Sequence, residues 1–83
     1  MEIAELRREI DKIDDSLIKL LKKRKAIAKK IFKAKLKNGL PKIDFSREKK
    51  IVERLKREFK GMDKEMISDL YKVIFRYSKK ITK

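Results

Sequence analysis

The chain has 83 residues and a formal net charge of +14, and charged residues make up 48% of it. This length allows one small domain, residues 1–83, whose core is close to the lower limit for independent stability. The chain has no cysteine and no histidine, which excludes a disulfide framework, a thiolate metal site and the commonest general base.

A long helix is predicted first, because apolar residues recur at spacings of three and four from Ile3 to Ala34. Such heptad spacing is typical of a helix that buries one seam against other helices. We predict that it runs from about residue 2 to residue 37 and ends at Asn38-Gly39. The positions of this apolar seam are Ile3, Leu6, Ile10, Ile13, Leu17, Leu20, Arg24, Ile27, Ile31 and Ala34.

Arg24 is the one charged residue in the apolar seam. A guanidinium keeps its charge, and burying it without a partner is costly. We therefore expect an anionic group opposite Arg24 inside a helix bundle. Two interpretations stay open: an ion pair with Asp or Glu of another helix, and a site for an anionic ligand.

The second helix is predicted after a loop at residues 40–43, where Pro41 lacks a backbone donor and restricts the residue before it. Asp44 or Ser46 can cap this helix, and Gly61 ends it. Its apolar positions are Ile51, Val52, Leu55 and Phe59.

A third helix is predicted after Asp63, which can cap it. Its apolar stripe contains one polar residue, Ser78, and Thr82 follows one turn later. The chain is therefore predicted to be all-α, with three helices. The stripe positions are Met66, Ile67, Leu70, Tyr71, Ile74, Ser78 and Ile81.

The length of the first helix predicts how the chain assembles. About 36 residues at roughly 1.5 Å each form a rod of about 54 Å. A compact chain of this size is only about 30 Å across, so the two shorter helices cannot cover the whole seam. We therefore predict an intertwined homodimeric helix bundle.

Several polar residues interrupt the apolar faces. Arg24 and Lys35 are eleven residues apart, about three turns, so they lie on nearly the same face. Each polar residue has a structural explanation alone: Lys35 can extend to solvent, and Ser78 can bond the carbonyl four residues earlier. Arg47 and Glu48 can form an exposed ion pair. Their occurrence together favours a polar site.

Four elements of sequence combine these residues: L-R-x-x-I-D-x-I-D over residues 6–14, Arg24, K-A-K over residues 33–35, and D-x-x-R-E over residues 44–48. In this combination the chain resembles the AroQ-type, all-helical chorismate mutases over nearly its whole length. The resemblance implies rearrangement of chorismate to prephenate, at the branch toward phenylalanine and tyrosine. Because that step is unimolecular and pericyclic, the resemblance implies no cofactor and no metal.

The resemblance also implies roles for single residues. Arg24 and Arg7 of the partner subunit would hold the substrate carboxylates, and Lys35 would donate to the ether oxygen. Glu48 and the backbone around Asp44 would hold the ring hydroxyl. The other substrate-binding residues would be Arg47, Ser78 and Thr82.

Thr82 departs from the family pattern, which commonly has a glutamine or glutamate there as a second donor to the ether oxygen. A threonine hydroxyl is shorter than either side chain. With Thr82, either a water bridges the gap or Lys35 stabilises the ether oxygen almost alone.

The separation of Arg7 and Arg24 supports a site shared between two chains. They are seventeen residues apart, about 25 Å along a helix, so one chain cannot place both on one small molecule. Antiparallel pairing of two first helices would bring Arg7 of one subunit near Arg24 and Lys35 of the other.

Two alternatives stay open. The net charge allows a basic helical nucleic-acid-binding dimer without enzymatic activity, although no aromatic residues alternate with the basic ones as stacking platforms. The heptads fit a structural coiled-coil module, which does not explain Arg24 or Ser78. No apolar run approaches membrane-spanning length and no signal-peptide pattern is apparent, so we expect a cytoplasmic protein that binds no membrane. The resemblance to chorismate mutases implies a small-molecule substrate and no nucleic-acid partner. The charged composition resembles that of proteins from hot environments.

Overall fold

The computed structural model describes residues 2–80, which form three helices: α1 (Ile3–Lys37), α2 (Phe45–Glu58) and α3 (Lys64–Lys80). No strand occurs in this range, so the prediction of an all-α chain with a long N-terminal helix is confirmed. None of these three helices is both long and apolar enough to cross a membrane.

The end of α1 is set by Asn38 and Gly39, as predicted. The backbone N–H of Asn38 donates to the carbonyl of Ala34, and its side-chain Nδ2 donates to the same carbonyl at 2.8 Å. Gly39 then has a φ of 65°, a left-handed conformation that glycine adopts without strain. The chain therefore leaves α1 sharply and turns back toward it.

Carboxylate caps start the other two helices. Of the two predicted caps for α2, Asp44 is the one used: its Oδ1 accepts from the backbone N–H of Arg47 at 2.9 Å. Asp63 caps α3 in the same way, accepting from the N–H of Met66 at 3.1 Å. Each carboxylate satisfies a free donor and lies at the positive end of the helix dipole.

The closest packing among the described residues is between α2 and α3. Two hydrophobic residues in this range are buried, Ile67 and Phe75, and both belong to α3. The rings of Tyr71 and Phe75 meet edge to face, with centroids 5.5 Å apart. The single chain thus has a very small core, and α1 contributes no buried residue to it.

The apolar seam of α1 is exposed along its length. Ile10, Ile13 and Leu20 are 55%, 60% and 61% exposed. The chain measures 55 × 25 × 17 Å with a radius of gyration of 16.0 Å, whereas a compact chain of this length would have about 12 Å. The predicted rod is therefore present, and one chain leaves its seam uncovered. The homodimer stays a prediction.

Candidate active site

A cavity of about 300 Å³ lies between the C-terminal half of α1, the loop after it, the start of α2 and the end of α3. We call it the candidate cavity. Its apolar wall comes mainly from α1, with Phe75 of α3 opposite. The cavity is lined by six residues that were predicted from the sequence as site residues: Arg24, Lys35, Asp44, Arg47, Glu48 and Ser78.

Arg24 is half-buried and fixed from two sides. Its Nη1 donates to Ser78 Oγ at 3.0 Å. Its guanidinium carbon lies 5.8 Å from the ring centroid of Phe75 and 6.0 Å from that of Tyr71, within the range of cation–π attraction. Within residues 2–80 of one chain, no Asp or Glu forms an ion pair with it. The ion-pair interpretation therefore fails for this part of the chain, and the charge faces the candidate cavity.

Ser78 has a different partner from the one its structural explanation predicted. A serine inside a helix often donates to the carbonyl of the preceding turn. Here Ser78 Oγ accepts from Arg24, which belongs to another helix. Its position on the inner stripe of α3 therefore orients the guanidinium, and it joins α1 to α3 at the wall of the candidate cavity.

Lys35 is held at the loop end of the candidate cavity. Its Nζ donates to the backbone carbonyl of Lys42 at 3.4 Å, which is long for a hydrogen bond and correspondingly weak. The side chain of Lys42 in turn lies over the ring of Phe32, with 5.8 Å between Nζ and the centroid. Lys35 therefore lies beside the cavity, and its ammonium group has one weak protein acceptor.

The start of α2 supplies both carboxylates of the candidate cavity. Asp44 is engaged as the helix cap. The structural explanation from the sequence was an ion pair between Glu48 and Arg47. Instead, Glu48 pairs with Lys79, with 3.2 Å between Nζ and Oε1. Arg47 also lines the cavity, and no ion pair involves it in the described part of the chain.

One described residue that was predicted for the site, Arg7, is not at the candidate cavity. Arg7 is absent from its lining, as the length of α1 requires, because its position is about 25 Å from Arg24 along the helix. Thr82 lies outside the described residues. Of the seven predicted residues that lie within residues 2–80, a single chain therefore brings six together.

Lys42 and Lys79 also line the candidate cavity, and neither was predicted from the sequence. Each lies beside a residue that was predicted: Lys42 two positions before Asp44, and Lys79 directly after Ser78. In a chain with 27 basic residues, no local signal distinguishes these lysines from solvated ones.

The charges around the candidate cavity favour an anion. Five basic side chains line it against two acidic ones, and both carboxylates have protein partners. No cluster of metal-ligating side chains occurs within residues 2–80. The arrangement is suited to an organic molecule with more than one carboxylate, held by the basic side chains against the apolar wall.

Comparison with known proteins identifies the family of the chain. The family model described as chorismate mutase type II matches residues 6–83. The chain is 30% identical to a chorismate mutase of Methanocaldococcus jannaschii, over 99% of this chain and 85% of that protein. It is 42% identical to an intracellular chorismate mutase of Mycolicibacterium smegmatis, over 64% of this chain and 51% of that one.

A solved structure agrees with the fold as well. A chorismate mutase from Thermus thermophilus superposes with a TM-score of 0.88 at 32% identity, covering 92% of this chain and 96% of that one. Sequence and fold therefore identify the same family. The chain belongs to the type II chorismate mutase family.

Proposed function

We propose that this chain rearranges chorismate to prephenate in phenylalanine and tyrosine biosynthesis, and that the candidate cavity is its active site. The observation that supports this site best is the state of Arg24: half-buried, oriented by Ser78 and facing a cavity without a carboxylate partner in residues 2–80. A substrate carboxylate would supply the missing anion.

Because one molecule rearranges without a nucleophile, catalysis needs a cavity that holds the substrate in its reactive shape and charged groups that stabilise the transition state. Arg24 binds one substrate carboxylate, and the apolar wall and Arg47 hold the substrate in its compact reactive conformer. Ser78 and Phe75 fix the guanidinium before the substrate arrives. The arginine then needs little reorganisation when charge develops.

Lys35 donates to the ether oxygen of the substrate, where negative charge develops as the bond breaks. Its hydrogen bond to the Lys42 carbonyl is long, at 3.4 Å, so exchanging that carbonyl for the ether oxygen costs little. The interaction strengthens in the transition state and therefore raises kcat. Thr82 is proposed as a second, shorter donor.

Glu48 and the backbone at Asp44 bind the ring hydroxyl of the substrate. Glu48 is the carboxylate available for this, because the Asp44 side chain caps α2. A hydroxyl donating to an ionised carboxylate makes a strong, directional hydrogen bond. This contact fixes which face of the ring lies over the apolar wall.

The working unit is proposed to be a homodimer in which two α1 helices pair antiparallel. The apolar seam of α1 is exposed in one chain, and a second copy is the occupant that fits it.

The charges of α1 support the direction of pairing. Residues 2–15 contain six acidic and three basic residues, whereas residues 19–37 contain ten basic and no acidic ones. Antiparallel pairing places each acidic half beside a basic half.

This arrangement completes the site with Arg7 of the partner subunit. On the other side of Arg24, a groove of about 520 Å³ runs between α1 and α3, with Lys25, Lys29 and Lys80 among the residues that line it. The acidic N-terminal part of a second α1 fits this groove by charge. Arg7 of the partner subunit then supplies the second carboxylate contact that a single chain lacks.

The alternative of a nucleic-acid-binding dimer has no support beyond the net charge, because the relatives described above are chorismate mutases. One of them is named an intracellular chorismate mutase, which supports a cytoplasmic location for this chain.

The proposed function is tested by incubating the purified chain with chorismate. Loss of chorismate is followed by ultraviolet absorbance, and formation of prephenate is followed by chromatography. Absence of turnover would overturn it.

A further inference from the structure

We infer that Lys79 is a positioning residue for Glu48, an inference that rests on the proposed function. Lys79 lies on α3, directly after Ser78, and lines the candidate cavity. Its role is to keep the Glu48 carboxylate in place for the substrate hydroxyl and away from the cations that bind the substrate carboxylates.

Lys79 contacts two residues of α2 at once. Its Nζ lies 3.2 Å from Glu48 Oε1 and 4.8 Å from the ring centroid of Phe45. Phe45 and Glu48 are three positions apart, so they lie on one face of the first turn of α2. The ammonium group is therefore held over this turn, and the carboxylate is held with it.

The shielding of this ion pair distinguishes it from an ordinary surface pair. The side chains of Lys79 and Glu48 are 34% and 23% exposed. By comparison, Arg54 and Glu58 form a pair within α2 with side chains 48% and 49% exposed. Because solvent screens exposed charges most, the attraction between Lys79 and Glu48 is screened less than that between Arg54 and Glu58.

The need for such a residue follows from the other charges. Arg24, Lys35 and Arg47 line the same cavity, and a free Glu48 carboxylate would be attracted to them. It would then compete with the carboxylates of the substrate. The ion pair with Lys79 holds the Glu48 carboxylate at the cavity wall. The three cations therefore stay available for the substrate.

Kinetics of Lys79 variants test this. Lys79→Met should raise KM for chorismate roughly tenfold and change kcat less than about twofold, because the competition affects substrate binding more than the rearrangement. Lys79→Arg should recover most of the affinity, since it keeps the charge. In a Glu48→Gln background, Lys79→Met should have no further effect on KM. The matched control is Lys72→Met, the same charge change on an exposed part of α3 that does not line the cavity.

The outcomes separate the inference from the proposed function. Wild-type turnover with Lys79→Met indistinguishable from Lys72→Met overturns the inference alone. So does an effect of Lys79→Met that persists unchanged in the Glu48→Gln background. A Lys79→Met chain that fails to fold, judged by circular dichroism, would make Lys79 structural and also overturn it. No turnover by the wild type overturns both.

Discussion

Arg24 and Ser78 are 54 positions apart in the chain, and a hydrogen bond of 3.0 Å joins them across the α1–α3 interface. The bond is made at the wall of a cavity and not in a core, because α1 has no buried residue. This arginine of the apolar seam thus lies at a cavity wall, as the proposed binding role requires. The aromatic rings beside it support the guanidinium without neutralising it.

Replacing Arg24 tests the main cation of the site. Arg24→Ala should lower kcat/KM for chorismate about a thousandfold, since it removes a preorganised charge from the substrate carboxylate. The folded state should persist, because Arg24 has no ion pair within residues 2–80 to lose. Steady-state kinetics and thermal unfolding measure the two effects, with Lys23→Ala as the control for the charge. Loss of the fold together with an inactive wild type would favour a structural arginine.

Ser78→Ala tests whether orientation of Arg24 matters separately from its charge. The variant keeps the arginine but removes the acceptor of its Nη1. We expect kcat/KM to fall about tenfold, the size of effect that one modest hydrogen bond produces. Ser68→Ala, on the same helix but away from the candidate cavity, is the matched control. Equal rates for the two variants would remove Ser78 from the site.

The sequence predicted the helices better than the contacts between them. Heptad spacing located α1, and the capping residues Asp44 and Asp63 located the starts of α2 and α3. These features depend only on residues within a few positions of each other. They could therefore be found from a single chain without knowing how the helices pack.

The pairs across helices could not be predicted from the residues alone. Whether Glu48 meets Arg47 or Lys79 depends on how α3 is rotated against α2, and a broad apolar stripe allows several rotations. The same is true of the rings beneath Arg24. Periodicity placed Tyr71 on the inner face of α3 but could not place it near that arginine.

Lys35→Met tests the donor to the ether oxygen. Because that interaction strengthens only as charge develops, kcat should fall about a hundredfold while KM changes little. Lys33→Met, an exposed neighbour two positions earlier, controls for the charge. A large rise in KM with kcat preserved would mean that Lys35 binds a carboxylate of the substrate instead.

The homodimer is tested by placing a charge in the exposed seam. Ile13 is 60% exposed in one chain, so Ile13→Glu should have little effect on a monomer but should disrupt a paired seam. We expect sedimentation to give a dimer for the wild type at micromolar concentration and a monomer or unfolded chain for Ile13→Glu. Ala26→Glu makes the same charge change away from the seam and should stay dimeric. A folded wild-type monomer would contradict the shared site.

Mixing two inactive variants tests whether Arg7 acts across the dimer. Arg7→Ala and Lys35→Ala should each be nearly inactive alone, because both sites of each dimer lack one cation. After subunit exchange, a mixed dimer has one site with both substitutions and one site with neither. With statistical mixing, roughly half of the dimers are mixed and each has one intact site of two, so activity should recover to about a quarter of wild type. Exchange should be verified with differently tagged chains and activity measured on the same sample. If exchange occurs without recovery, Arg7 does not act in the site of the partner subunit.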